Sequence, residues 1–530
     1  MSDAENTLKN GEIDPFRRPA ELSDDGDVNS THKEDVLSLE HTDPVLHAKM
    51  HLINNAIDEI GFTGYQTKLF ILNGFGYAVD SLVLLIQSVI ASKAALEFHP
   101  SYDTALTIAA YCGMLAGALF WGMSADIIGR KFAFNFSLIF CSVFAIVAGA
   151  SPSWPVLGTF IALCSFGAGG NLVLDTAVFL EYLPSKQQWL LTLMAAWWGV
   201  GQLIAGLFAW AFIPNFSCQD PTIFPDAAPC TRGINWGWRY VWFASGALVF
   251  VMSIARVSVI RLKETPKYLI GEGKDAEVVE TLQEIATKYN RPCSLTLASL
   301  EACGIIDSQV RRNSVAHASK RASLAEIGLH LRGLFTTRRI GTSTAMIWFS
   351  WTLIGLAYPL YTVLLPKYLE SRGAAVGTTS EYIQWRNYAI INMCGIFGPI
   401  PAGFMCETRL GRKYTMVIGA LTTMVFLFAY TQVRTAAQNL GFNCAINFCL
   451  NIYYGTLYAY TPEVLPSAHR GTGNGFAVGF NRVMGILSAI IAEEADPRTA
   501  VPIYICAALY VVMALVAALF PFEPRGSRSS

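Results

Sequence analysis

The sequence predicts an all-α membrane protein of twelve transmembrane helices in two pseudo-symmetric six-helix bundles, and three observations carry that prediction. The first is a shortage of charge. Only 15% of the 530 residues are Asp, Glu, Lys or Arg, 53% are hydrophobic, and the mean hydropathy is +0.39. A soluble domain has about 25% charged residues, so there is too little charge here to coat the several domains a soluble chain of this length would form. The second is the recurrence of apolar stretches of about 20 residues, the length a helix needs to cross roughly 30 Å of hydrocarbon. The third is an internal repeat. A net charge of −1 leaves no basic excess to pair with nucleic acid. The polar segments hold no nucleotide-binding loop, zinc spacing or nucleophile motif, so no enzyme activity, metal or cofactor is expected.

Taken in chain order, residues 1–65 are polar and acidic, which predicts a disordered tail with a short helix near its end. No basic segment followed by a short apolar core opens the chain, so the first span serves as the insertion signal. Spans near 69–91, 104–124, 131–150, 155–179, 189–213 and 238–260 make an N-terminal bundle over 66–262. The segment 263–338 is polar and forms a central loop. Within it, about 275–290 carries apolar residues at helical spacing and reads as an amphipathic helix bracing the halves. The stretch holding Arg311, Arg312, Ser314, Lys320, Arg321 and Ser323 reads as a solvated linker. Spans near 341–364, 386–406, 414–432, 440–460, 472–492 and 499–520 make a C-terminal bundle over 339–520, and 521–530 is a short tail.

Basic residues set the orientation. Arg130 and Lys131, Lys186, the central loop, Arg412 and Lys413, and Arg470 fall on one side, which places both termini in the cytoplasm. The loop 214–237 then faces the lumen or exterior. It holds a glycosylation sequon at Asn215 and two cysteines, Cys218 and Cys230, that an oxidising compartment would join. The cysteines within apolar runs read as small buried hydrophobes.

The repeat is read from two motifs. Gly122, Asp126, Gly129, Arg130 and Lys131 follow the second span, and Gly403, Glu407, Gly411, Arg412 and Lys413 follow the eighth. Glu181-Tyr-Leu-Pro184 follows the fourth span and Glu463-Val-Leu-Pro466 the tenth. The two glutamates stand 282 residues apart, and so do the two Gly-Arg-Lys triplets. Transporters use paired halves to place a site between them. The first motif suits a hinge: Gly122 lets backbones approach, Gly129 permits a tight turn, and Asp126 can pair with Arg130 or a helix end and release it.

These residues resemble the loop between the second and third helices of the major facilitator superfamily, over about residues 60–520. Asp175, Glu181-Tyr-Leu-Pro184, Glu264-Thr-Pro-Lys-Tyr268 and Tyr460-Thr-Pro-Glu463 through Arg470 are similar to the sugar-porter side. Gly167-Ala-Gly-Gly-Asn171 with Asp175, and Glu407-Thr-Arg-Leu-Gly-Arg-Lys413, resemble the branch related to synaptic-vesicle glycoproteins, in a fungal form. The resemblance implies a central cavity and alternating access, often proton-coupled. The chain departs from sugar porters at Phe160–Ser165, which lacks their arginine, and at Ile127. The missing arginine weakens a hexose as substrate.

Charges inside spans are functional candidates because hydrocarbon penalises them. Asp80, midway along the first span, is a candidate for proton coupling, for a structural hydrogen bond or ion pair, or for substrate contact. Arg482 is equally central in the eleventh span. It needs an anion, either a substrate carboxylate or a permanent partner in Asp175 or Asp80. Asp175 lies near Glu181 and suits gating or pairing. Asn171, Gln202, Asn474 and Asn481 can hydrogen-bond a ligand or bridge helices, as can Asn73, Asn392, Asn447 and Asn451. Trp197, Trp198, Tyr358, Tyr453 and Tyr454 are candidates to line the cavity, with packing or an interface belt as the alternative for each. The expected function is secondary active transport of a small organic solute, an organic anion ahead of a sugar, together with protons. Efflux of a toxic or secondary metabolite is the alternative, and a non-transporting sensor or receptor the alternative of another class. The expected partners are the solute, protons and the lipid bilayer, around a functional monomer. The expected location is the plasma membrane, with an endomembrane or vacuole as alternatives.

Overall fold

A computed structural model describes residues 44–102, 104–127, 130–219, 229–259, 263–306, 328, 331–371, 381–466, 469–494 and 501–524. Among the described residues the regular structure is helical. Helix α1 (Pro44–Ile60) precedes the first span, inside the segment expected to be a tail. It forms because Met50, Ile53, Ile57 and Ile60 recur at helical spacing and bury together. The N-terminal spans are α2 (Gly64–Phe98), α3 (Ala105–Ile127), α4 (Arg130–Gly149), α5 (Trp154–Glu181), the short α6 (Trp189–Leu193) leading into α7 (Ala196–Phe216), and α8 (Gly237–Val259). The central loop folds into α9 (Pro266–Gly271), α10 (Asp275–Lys288) and α11 (Leu297–Glu301). Its serine- and arginine-containing stretch from 307 to 327 lies outside the described residues. The C-terminal spans are α12 (Arg338–Ser371), α13 (Glu381–Ile396) continued by α14 (Pro399–Glu407), α15 (Gly411–Tyr430), α16 (Ala436–Val464), α17 (Arg470–Glu494) and α18 (Val501–Ala518).

Local chemistry explains the boundaries. A capping box of Thr63 and Gln66 starts α2, and His99 ends it in the left-handed region at φ 46°. Pro155 sits in the first turn of α5, where its missing N–H costs nothing. Gly398-Pro399 splits the eighth span into α13 and α14, the kink expected of that pair. Amphipathic α10 buries Val278, Leu282 and Ile285 as its spacing predicts, and Asp275 at its start accepts from Lys49 of α1 at 2.5 Å.

Ten helices are long and apolar enough to cross a membrane among the described residues, and α16 and α18 bring the spans to twelve. In α18 the apolar stretch is the shorter Tyr504–Ala518. The apolarity of α16 is lowered by Asn439, Asn443, Asn447 and Asn451, spaced one turn apart. Each finds a partner. Asn443 donates to Asn439 Oδ1 at 2.6 Å, Asn451 donates to the Asn447 carbonyl at 2.8 Å, and Asn447 donates to the Ile391 carbonyl at 3.1 Å. Asn447 thus ties α16 to the broken eighth span, and Asn451 packs where a Cβ on Gly395 or Gly398 of that span would stand.

The packing repeats between the halves. The pairs α2–α7, α3–α5, α4–α5 and α4–α8 recur as α12–α17, α13–α16, α15–α16 and α15–α18. The halves meet where α3 lies on α17 and α7 lies on α13. Both seams are lined with glycine. A Cβ at Gly122 would stand 2.9 Å from the Gly471 carbonyl and the Gly475 Cα, and one at Gly199 would stand 2.9 Å from the Ile396 nitrogen. Small residues allow such backbone approach inside a membrane.

Candidate functional site

Asp80 and Arg482 meet across the two halves. Arg482 Nη2 on α17 donates to Asp80 Oδ2 on α2 at 2.7 Å, and both residues are buried. Among the described residues Asp80 Oδ1 and Arg482 Nε have no hydrogen-bond partner, so the pair uses only part of its bonding capacity there. Of the two partners expected for Arg482, the fold chooses Asp80.

Aromatic rings surround this pair. Tyr458 on α16 is the hub: Trp351 lies 4.7 Å away edge-on, Tyr454 and Tyr77 each 5.7 Å, and Trp198 5.9 Å. Tyr111 on α3 packs where a Cβ on Gly485 would stand, one turn from Arg482. Gln202 donates to the Tyr358 hydroxyl at 3.0 Å, joining α7 of one half to α12 of the other. Trp198, Tyr358 and Tyr454 therefore do reach this region. Trp197 instead packs edge-on against Phe70 and Phe75, and Tyr453 is buried beneath Gly419 of α15. Tyr77, Tyr111, Trp351 and Tyr458 were not singled out from sequence, because an aromatic in a span has no local mark that separates cavity from packing.

Asp175 has a partner that sequence reasoning missed. Arg256 of α8 donates to both of its oxygens at 3.0 Å, to the Leu72 carbonyl at 3.0 Å and to the Phe134 carbonyl at 3.1 Å. Its guanidinium lies 3.8 Å over the Phe134 ring. Gly76 makes the room, since a Cβ there would fall 1.5 Å from Asp175 Oδ2. Asn171 accepts from Ser137 at 2.7 Å and from Arg256 at 3.4 Å. This network ties α2, α4, α5 and α8 within one half. Asn474 crosses between halves, donating to Thr176 Oγ1 at 3.1 Å, and Asn481 donates to the Trp351 carbonyl at 3.3 Å within its own half. A charged residue inside the sixth span was the available signal for Arg256.

The repeated motifs converge in two equivalent clusters. Arg130 pairs with Glu181, and Arg412 pairs with Glu463 at 2.5 and 2.7 Å. A second carboxylate caps each following helix. Glu264 accepts from the backbone N–H of Arg130 and Lys131, and Glu523 accepts from those of Arg412 and Lys413 at 3.0 Å each. A carboxylate at a helix N-terminus meets its unpaired N–H groups and the positive end of its dipole. Glu523 was missed from sequence, although Glu523-Pro524 after the last span echoes Glu264-Thr-Pro266 after the sixth. Gly411 has φ +63°, and a Cβ there would stand 2.6 Å from the Glu523 carboxyl carbon.

The symmetry breaks at Arg470. Its guanidinium also reaches Glu181, at 3.3 Å, and so locks one half to the other on this side. Gly403 packs on Trp189 of α6, again across the halves, and Glu407 is exposed at the end of α14. The Asp126 side chain and all of Gly129 lie outside the described residues.

At the opposite end Lys93 and Glu381 join the halves at 2.5 Å. Lys93 also donates to the Cys218 carbonyl at 2.9 Å, and Cys218 is in a disulfide with Cys230. Asn235 donates to the Lys93 carbonyl at 2.7 Å and accepts from the Cys218 N–H at 3.3 Å. Glu97 takes a two-pronged contact from Arg239 at 2.8 Å. Trp210 meets Tyr382 edge-on at 5.2 Å beside Glu381. Asn215 is exposed on the last turn of α7, donating to the Ala211 carbonyl at 3.2 Å. Cross-half ion pairs thus stand at both ends and in the middle.

The family profile of the Major Facilitator Superfamily matches residues 69–489. The chain is 42% identical to MFS siderochrome iron transporter 1 of Ceriporiopsis subvermispora, covering 92% of this chain and 93% of that protein. It is 26% identical to the niacin transporter NiaP of Acinetobacter baylyi, covering 81% of this chain and 87% of that one. The structure of the proton:xylose symporter XylE superposes with a TM-score of 0.63 at 15% identity, covering 88% of this chain and 98% of XylE, a likeness of fold.

Proposed function

This chain belongs to the major facilitator superfamily, and we propose that it carries a small organic anion together with a proton by alternating access. The observation that carries this reading is the Asp80–Arg482 pair between the halves. Empty, the site holds one negative and one positive charge that satisfy each other. Protonation of Asp80 removes its charge and releases Arg482, which then needs another anion. A substrate carboxylate supplies it in the two-pronged geometry a guanidinium favours. Both states are balanced in charge, whereas a proton alone or an anion alone leaves a buried charge unpaired. Only balanced states move through the membrane at low cost, which couples the two fluxes. The rings around Tyr458 favour an aromatic or heteroaromatic monocarboxylate, and niacin in the Acinetobacter relative is of that kind.

Access alternates as the end pairs open in turn. Arg470–Glu181 closes the side of the Gly-Arg-Lys loops, which we place in the cytoplasm, and Lys93–Glu381 closes the other. Reversing either outer charge, Lys93→Glu or Glu381→Lys, is expected to slow uptake roughly tenfold, and the double reversal to recover much of it. A double variant as slow as the singles shows that the pair is no lock.

The test is uptake of labelled nicotinate into proteoliposomes under an imposed pH gradient. We expect accumulation driven by the gradient, and its loss in Asp80→Asn with binding retained. Gradient-driven accumulation by Asp80→Asn overturns the coupling role. The name of the Ceriporiopsis relative favours a second reading, in which the anion is an iron chelate. Uptake of a ferric siderochrome in place of nicotinate in the same vesicles decides for it.

A further inference from the structure

We propose that the cleft between the start of α2, the end of α8 and α10 binds the headgroup of an anionic phospholipid bearing a phosphate monoester. The cleft has a volume of about 410 Å³, within the roughly 300–1,000 Å³ of small-ligand sites. Lys68, Lys263 and Lys288 line it beside the rings of Tyr65 and Tyr289. Lys68 and Lys288 are exposed, and neither has a salt bridge among the described residues. Lys263 is held by Glu284 and, at 3.6 Å, by Glu280. Those carboxylates hold the Lys263 ammonium above its ordinary pKa, and the ammonium holds the Glu284 carboxyl below its own.

Three ammonium groups offer donors and no acceptors. A phosphate monoester, with close to two negative charges and three acceptor oxygens, answers several of them at once. Among the described residues Glu284 is the one acid lining the cleft, and it competes with such a ligand for Lys263. Val259 lines the same cleft and is exposed, and Val251, about two turns earlier on the same side of α8, is exposed as well. Charge and an apolar track therefore meet at one point, which fits a headgroup followed by acyl chains. Basic pockets beside membrane helices recognise phospholipids in this way. Because α10 belongs to the central loop, the bound lipid would clamp that loop to α2 and α8.

The experiment is native mass spectrometry of the full chain with phosphatidic acid in a phosphatidylcholine background. Lys68→Ala with Lys288→Ala should weaken retention roughly tenfold, and Lys68→Arg with Lys288→Arg should keep it, which controls for folding. Glu284→Gln should strengthen retention by freeing Lys263. Unchanged retention in the double alanine variant, or weaker retention in Glu284→Gln, overturns the site. Inorganic phosphate that displaces the lipid at low millimolar concentration assigns the cleft to a soluble anion and overturns the lipid.

Discussion

Arg482→Ala is expected to abolish anion transport and to destabilise the fold, because it strands the Asp80 carboxylate between the halves. Asp80 is fully buried and Arg482 is its ion-pair partner. Removing one member of a buried pair costs about 3–5 kcal/mol, most of it the uncompensated charge that remains. Asp80→Ala in the same chain removes that charge too, so the double variant should regain most of the melting temperature. It should not regain transport, since no cation is left to take the substrate carboxylate. Arg482→Lys keeps the charge but loses the two-pronged contact, and its affinity should fall by roughly tenfold or more. Melting in detergent and initial uptake rates in vesicles separate these effects. Uptake by the double alanine variant would show that the anion binds elsewhere.

Glu181 is the second position of large effect, since one carboxylate serves two arginines. Glu181→Ala leaves Arg130 and Arg470 without it inside a buried cluster, and a loss of about 3–5 kcal/mol follows from the same reasoning. It also removes the cross-half bond on that side. Glu463→Ala strips the equivalent cluster, whose ion pair among the described residues is to Arg412 of its own half, so it should lower stability without opening the seam. Arg470→Gln does the reverse, because Glu181 keeps Arg130. Hydrogen exchange over residues 181–194 and 469–476 reads the difference. Faster exchange there in Glu181→Ala and Arg470→Gln, and not in Glu463→Ala, is expected. Equal exchange in all three removes Arg470 as the lock.

Much of the fold was legible because bilayer thickness imposes one length on every span, and the repeat showed up as fixed residue types at a fixed offset. Arg130, Glu181, Arg412 and Glu463 were read as motif members in this way, and the fold brings them together in like pairs. The aromatic surround of Tyr458 was legible only in part, through Trp198, Tyr358 and Tyr454, while Tyr77, Tyr111, Trp351 and Tyr458 itself were not, for the opposite reason. Rings are common in every span, and facing inward depends on helix rotation. Helix α1 was legible only as a short helix near the end of the tail, because its apolar residues are few and dilute among polar ones and do not mark its bounds.

By itself the sequence determined that this chain spans a membrane with two related halves and that Asp80, Asp175 and Arg482 are charges needing partners. The tertiary structure alone decided which partners they have. Asp80 finds Arg482 at a separation of 402 residues, Asp175 finds Arg256 at 81, and Arg470 reaches Glu181 at 289. Local pattern specifies which face of a helix is polar. It does not specify the rotation and crossing of two helices, and those set which charges come within ion-pair distance of each other.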